Sequence, residues 1–317
     1  MSVDIMDVAS DNAVTRRERR RQSAYREQVL DLPAGTDRRG RTLGNYLPAD
    51  DRRSNFLSDE AAQYAAARVD VVQREGGQLE QTRLFTNMLS SMPLCFTVFG
   101  HLRAHPAAAV SLLSVLLQRE LAGLDRVAVG DRGIDGIECE WAPARKEHLN
   151  DGSAFDAVVA GRTVDGRRLL IAVEAKYIDT FSRDPVDEEK DRKYRRFCAN
   201  FGMPGEAFDA LKGSATRQLL RNVLLTESVR RSGSAAEPLF DEAITVVLAR
   251  DDDRAAQDAV TALDGLRGDL VTGVRYVGHG RFANAAASIP ELAEWAGRFR
   301  RRYVGPAESS VVLPTDR

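Results

Sequence analysis

The chain has 317 residues, with 45 basic side chains against 47 acidic ones and a formal net charge of -2. That length suits one large domain with extensions or two small ones. The balanced charge excludes a wholesale polycation but leaves open a locally basic face for nucleic acid.

Residues 1–75 are expected to form a basic, helical and partly disordered extension. Arg16, Arg17, Arg19, Arg20 and Arg21 open a helix-permissive stretch ending near Leu30, and Pro33, Gly35, Gly40 and Gly44 then break regular structure. The arginine run reads equally well as a solvated helix face or as a phosphate-contacting arm. Ser58 followed by Asp59 and Glu60 predicts an N-capped helix that closes at Gly76-Gly77. Leu79, Leu84, Phe85, Met88 and Leu89 form an apolar stripe that predicts a helix over 79–91. Pro106 suits the first turn of a core helix reaching Gly123.

The character then changes. Segments 134–141, 154–160 and 169–177 read as strands, and Asp165-Gly166 predicts a tight turn that makes the last two an antiparallel hairpin. Residues 178–205 read as a surface loop carrying a short helix near 187–201. A helix over 205–231 follows, then a continuous apolar strand at 243–249. Helix 255–266, strand 273–277, helix 290–302 and a tail over 305–317 complete the order. The apolar runs 94–99 and 169–173 fall far short of the roughly 20 residues that cross a bilayer. Residues 1–10 lack the basic, apolar pattern of a secretory leader, and Cys95, Cys139 and Cys198 match no zinc spacing. A reduced, cytoplasmic protein that does not bind membranes is expected.

The chemistry concentrates in 155–159 and 169–177. Along a strand side chains alternate, so Glu174 and Lys176 share one face while Val173, Ala175 and Tyr177 share the other. The Asp165-Gly166 turn brings Asp156, on the neighbouring strand, within reach of the same spot. Two carboxylates and an ammonium at one sheet edge suit metal-assisted phosphodiester hydrolysis, because Mg²⁺ prefers one or two carboxylates and keeps several waters. Asp156 and Glu174 would supply those oxygens, with the Ala175 backbone carbonyl as a third, and Mn²⁺ would substitute. Lys176 would orient the attacking water or stabilise phosphate charge. It is one of only five lysines beside 40 arginines, and an ammonium, unlike a guanidinium, can trade protons.

At these residues the sequence resembles the PD-(D/E)XK nuclease superfamily, and within it a group of bacterial restriction endonucleases. Asp156 matches the first acid of the motif, with Phe155 where proline is usual, and Glu174-Ala175-Lys176 matches the second element. The stretches 88–96, Phe99-Gly100, Ala154-Phe155-Asp156, Glu174–Tyr177 and Gln218-Leu219-Leu220-Arg221-Asn222 carry the likeness across roughly 80–250. The resemblance implies an α/β fold with a restriction-endonuclease-like αβββαβ core, a mixed central sheet flanked by helices, over residues 76–304. It implies a divalent-metal-dependent DNA endonuclease, acting in restriction or defence against foreign DNA. Cleavage of both strands would call for a homodimer or a partner protein of a defence system. The alternative from another class is a non-catalytic DNA-binding or assembly subunit retaining the fold. No Gly-x-x-x-x-Gly-Lys-Ser/Thr loop supports an ATPase.

Further candidates are Glu140 and Glu80 as extra metal ligands, each read alternatively as a salt-bridged carboxylate. Gln218, Arg221 and Asn222 share a helical face, with Gln218 and Arg221 as supporting or phosphate-contacting residues and Asn222 where the superfamily often carries Tyr. Tyr177 is a supporting candidate. Arg192, Lys193, Arg195 and Arg196 with Tyr194 and Phe197 read as a DNA-backbone surface or as a solvated basic face. His101 and His105 are expected to be structural.

Overall fold

The computed structural model describes residues 6–181, 187–213, 216–234 and 237–305; residues 306–317 of the expected tail and 182–186 of the expected loop lie outside these. The helices are α1 (Ala13–Gln28), α2 (Asp59–Arg74), α3 (Gln81–Phe85), α4 (Ser91–Cys95), α5 (His101–Ala104), α6 (Pro106–Leu117), α7 (Glu188–Asn200), α8 (Ala207–Leu211), α9 (Arg217–Arg230), α10 (Arg254–Leu266), α11 (His279–Ala287) and α12 (Ala293–Phe299). Strands β1 (Leu121–Leu124), β2 (Arg126–Val129), β3 (Arg132–Asp135), β4 (Ile137–Trp141), β5 (Phe155–Thr163) and β6 (Arg168–Ala175) precede α7. Strands β7 (Gly233–Ser234), β8 (Glu237–Pro238), β9 (Glu242–Ala249) and β10 (Gly273–Gly278) follow α9.

Local signals place the helix starts. Ser58 Oγ accepts the Ala61 N–H at α2, Asp187 Oδ1 accepts the Glu189 and Lys190 N–H groups at α7, and Asp253 Oδ1 accepts Ala256 N–H at α10. Pro106 occupies the first turn of α6, where its missing N–H costs nothing. The helix expected over 79–91 exists only as α3. Beyond it Leu47 N–H donates to Thr86 O and Met88 N–H to Asn45 O, so this backbone pairs with the 45–47 segment instead of continuing the helix.

The six-stranded sheet has the order β1-β5-β6-β9-β10, with β4 also on β5. β1, β4 and β6 run antiparallel to β5, while β6, β9 and β10 are mutually parallel. The expected hairpin forms between β5 and β6: Gly166 at φ +85° closes the turn, and Thr163 N–H donates to Arg167 O. The strand expected over 134–141 is divided. Gly136 at φ +67° separates β3, which pairs with β2, from β4, which joins the main sheet. The observed β4-β5-β6-α9-β9 succession is the core of a mixed α/β fold.

Both faces of the sheet are covered, which is why β6 reads as a continuous apolar run. Ile171, Val173, Ala175 and Tyr177 belong to a core shared with α2, α6, α11 and α12; Leu170 and Ala172 face a second core with α7, α9 and α10. The segment expected as an extension contributes Tyr25, Leu47, Phe56, Ala61 and Ala65 to the first core. Its arginine run is engaged within the chain: Arg17 pairs with Glu18 and Asp252, Arg19 with Asp11, Arg20 with Asp7 and Arg21 with Glu18. No helix among the described residues is long and apolar enough to cross a membrane.

Candidate active site

The β5–β6 ladder sets the site. Its last paired position is Ala157 with Val173, and Asp156 and Glu174 come next on their strands. Alternation carries Asp156, Glu174 and Lys176 on the face of Leu170 and Ala172, toward α9. Asp156 Oδ2 accepts the Ala175 N–H at 2.8 Å, and Lys176 Nζ lies 2.7 Å from Glu174 Oε1. The three residues predicted from spacing therefore meet at one point.

Helix α9 holds the glutamate. Gln218 Nε2 donates to Glu174 Oε1 at 2.6 Å, Gln218 Oε1 accepts from Lys176 Nζ at 3.2 Å, and Asn222 Nδ2 donates to Glu174 Oε2. Gln218 thus bridges acid and amine, and Asn222 fills the place where the resemblance suggested tyrosine. The sequence signal for this pair was present, because residues four apart share a helical face. The ring of Phe181 lies 5.0 Å from Lys176 Nζ, a contact that no motif announced. Asn222→Leu is expected to free the Glu174 carboxylate to turn and to weaken divalent-cation binding at this cluster by about 10–100-fold, the usual cost of losing a partner that orients a ligand. Calorimetry with Mn²⁺, with unchanged circular dichroism, checks this.

Glu140 belongs to the same cluster. On β4 it falls between the paired positions Cys139–Ala157 and Trp141–Phe155, opposite Asp156, and it adopts φ +48°. Its carboxyl is pushed up to about 7 by burial and by the charge of Glu174. Burial, then Glu174 and Glu140, push the Asp156 carboxyl well above the usual carboxylate range. Burial alone would lower the Lys176 ammonium, but Glu174 and Asp156 outweigh it and the net shift is upward.

Three carboxylates against one ammonium would leave a charge of about -2 if all were ionised, and Asp156 and Glu140 respond by holding protons more tightly. A divalent cation is the counter-charge that would release them, and an all-oxygen carboxylate set is the kind Mg²⁺ or Mn²⁺ accepts. The residues present fit such an ion. The expected Ala175 carbonyl ligand lies between Glu174 and Lys176 in sequence, on a fully buried residue.

In the metal-free protein Glu140 also makes stability depend on pH. Its folded value, about 7, lies above the ordinary 4.5, so the folded state binds the proton more tightly. The resulting stabilisation is fully present below pH 4.5 and is lost as pH rises through about 7; a shift of this size corresponds to about 3 kcal/mol. Urea unfolding in EDTA between pH 5 and 8 is expected to reveal this slope, and Glu140→Gln to make it shallower, the raised Asp156 carboxyl supplying the remainder.

Other predicted residues sit elsewhere. Tyr177 is fully buried on the opposite face, where its hydroxyl donates to Glu18 Oε2 at 2.9 Å and accepts from Gln22 Nε2 at 2.7 Å; it supports the strand from behind and does not face a ligand. Glu80 is a helix cap, accepting the Thr82 and Arg83 N–H groups at α3 and pairing with Arg38, because its position is the N-cap and not the sheet edge. Arg195 is exposed on α7 but forks onto Asp209 at 2.6 and 2.9 Å. Tyr194 points inward, its hydroxyl donating to Asp151 Oδ2, so it offers no face for stacking. Arg221 is half-buried on α9.

A family model described as the PD-(D/E)XK nuclease superfamily matches residues 9–305. No curated protein and no solved structure matches the chain. The matched span takes in Asp156, Glu140, Glu174-Ala175-Lys176 and the α9 pair, and it includes α1 and α2. With the β4-β5-β6-α9-β9 core and the acids on facing strands, the match assigns the fold: the chain belongs to the PD-(D/E)XK nuclease superfamily.

Proposed function

We propose that the protein is a divalent-metal-dependent DNA endonuclease, with restriction or defence against foreign DNA as its setting. The observation that carries this reading is the convergence of Asp156, Glu174 and Lys176, with Asp156 bonded to the Ala175 N–H and Lys176 bonded to Glu174. Asp156 and Glu174, with Glu140 beside them and the Ala175 carbonyl, would hold Mg²⁺ or Mn²⁺. Such an ion polarises a phosphoryl oxygen and acidifies a water. Gln218 and Asn222 keep the Glu174 carboxylate oriented. Lys176, protonated and fixed by Glu174 and Gln218, holds a proton at Nζ where it can position a water or neutralise charge on the phosphate. Gln218 supports this site, while Arg221 and Arg195 remain the proposed phosphate contacts; Arg195 would have to exchange Asp209 for DNA. The protein would act in the cytoplasm, as a homodimer or with a partner protein.

One observation favours a second reading, a DNA-binding subunit without catalysis. Glu174 and Lys176 are 4% and 6% exposed, and Phe181 covers the ammonium. The deciding experiment incubates plasmid and linear DNA with Mg²⁺ or EDTA, beside calorimetry with Mn²⁺ on wild type and Asp156→Asn. Mg²⁺-dependent cleavage and a Mn²⁺ site lost in Asp156→Asn are expected; DNA binding with neither would replace the nuclease reading by the subunit one.

A further inference from the structure

We infer that Glu60, His101 and His105 form a second cation site, suited to Zn²⁺ or another divalent transition metal and separate from the nuclease site. One ligand atom from each of the three lies within 4.8 Å of the other two, and among the described residues this is the group of His, Cys, Asp and Glu side chains that meets this separation. Glu60 comes from the first turn of α2, His101 opens α5, and His105 is the residue before Pro106 of α6.

The donors are held before any ion arrives. His101 is buried, its ring is stacked on Trp295 at 5.0 Å and 3°, and its Nδ1 lies 3.1 Å from Ser58 Oγ. The two imidazole centroids are 4.4 Å apart. Glu60 and His105 are exposed, so the cluster opens to solvent and has an entry path. A stack and a hydroxyl that fix one ring are the kind of support that metal-ligating histidines receive.

The donor chemistry selects the ion. Two imidazoles and one carboxylate suit Zn²⁺ and its neighbours, with a fourth position left for water, whereas Mg²⁺ calls for oxygen. The two sites are also apart. Arg68 of α2 donates to the Glu140 carbonyl, and Glu60 lies eight residues earlier, about 12 Å along the helix axis. A bound ion would tie the start of α2 to the α5–α6 corner and so raise the melting temperature.

The test uses the full chain carrying Asp156→Asn, so that the nuclease site does not compete, with excess Mg²⁺ present. Calorimetry with Zn²⁺ and visible absorption with Co²⁺ are expected to give one equivalent bound at micromolar metal, with Co²⁺ displaced by Zn²⁺. His105→Ala and Glu60→Ala, both at exposed positions, are expected to weaken binding by about 100-fold or more and to abolish the Zn²⁺-dependent rise in melting temperature. His101→Ala removes a buried ring and is not needed. No binding in the Asp156→Asn protein, or binding undiminished by both His105→Ala and Glu60→Ala, would overturn the site.

Discussion

Glu174→Gln and Lys176→Ala are each expected to reduce Mg²⁺-dependent DNA cleavage by about 10³-fold or more while the protein stays folded. Both residues sit where a loss cannot be compensated nearby. Glu174 takes hydrogen bonds from Gln218, Asn222 and Lys176, and a glutamine there would turn a donor of its own toward groups that already donate. Lys176 is the amine paired with that carboxylate and held charged by Glu174 and Asp156, and alanine removes both its charge and its contact with Phe181. Lys176→Arg keeps the charge but not the compact ammonium, and it is expected to restore little. Rate measurements on supercoiled plasmid, with gel shifts in Ca²⁺ to follow DNA binding, check all three. Cleavage by Lys176→Ala at the wild-type rate would remove the lysine from the mechanism.

The largest expected effect on stability comes from Arg302, which is fully buried and has no acidic partner among the described residues. Its guanidinium donates to Gln22 Oε1 at 3.1 Å, to Asn55 O at 2.9 Å and to Asn55 Oδ1, and it lies 5.4 Å from the ring centre of Tyr25 and 4.9 Å from that of Tyr303. Arg302→Ala leaves a cavity and several acceptors without a donor, and about 3–5 kcal/mol is expected to be lost. Arg302→Met refills the volume but not the hydrogen bonds, so it is expected to recover only part. Urea unfolding midpoints of the two variants separate packing from hydrogen bonding.

Local order was legible where neighbouring residues decide it. Asp165-Gly166 closes the hairpin, Ser58 caps α2, and period-two alternation aligns Glu174 with Lys176. Asp156 could be placed because the hairpin fixes register over a short span. Features set by distant parts of the chain were not readable. The stripe at 79–91 satisfies a helix, yet Asn45 and Leu47 capture its backbone. Tyr177 carries the same alternation whether it faces solvent or core, and only α1, some 155 residues earlier, settles which. The spacing of His101 and His105 was visible, but Glu60 joins them from 41 positions upstream. Arginine density by itself does not distinguish a phosphate arm from a helix whose charges are answered by Asp7, Asp11, Glu18 and Asp252.

Helix α1 has a consequence for the order in which the molecule can be completed. It leaves the ribosome early, yet Gln22 bonds to the Tyr177 hydroxyl 155 residues later and to the Arg302 carbonyl 280 residues later. The brace that α1 forms behind Tyr177 therefore gains its second anchor only once the π-helical turn Arg300–Val304 has been synthesised. Nascent polypeptides halted before that point would carry every acid of the cleft but lack the Arg302 and Tyr303 carbonyls that receive Gln22 and Arg21 of α1.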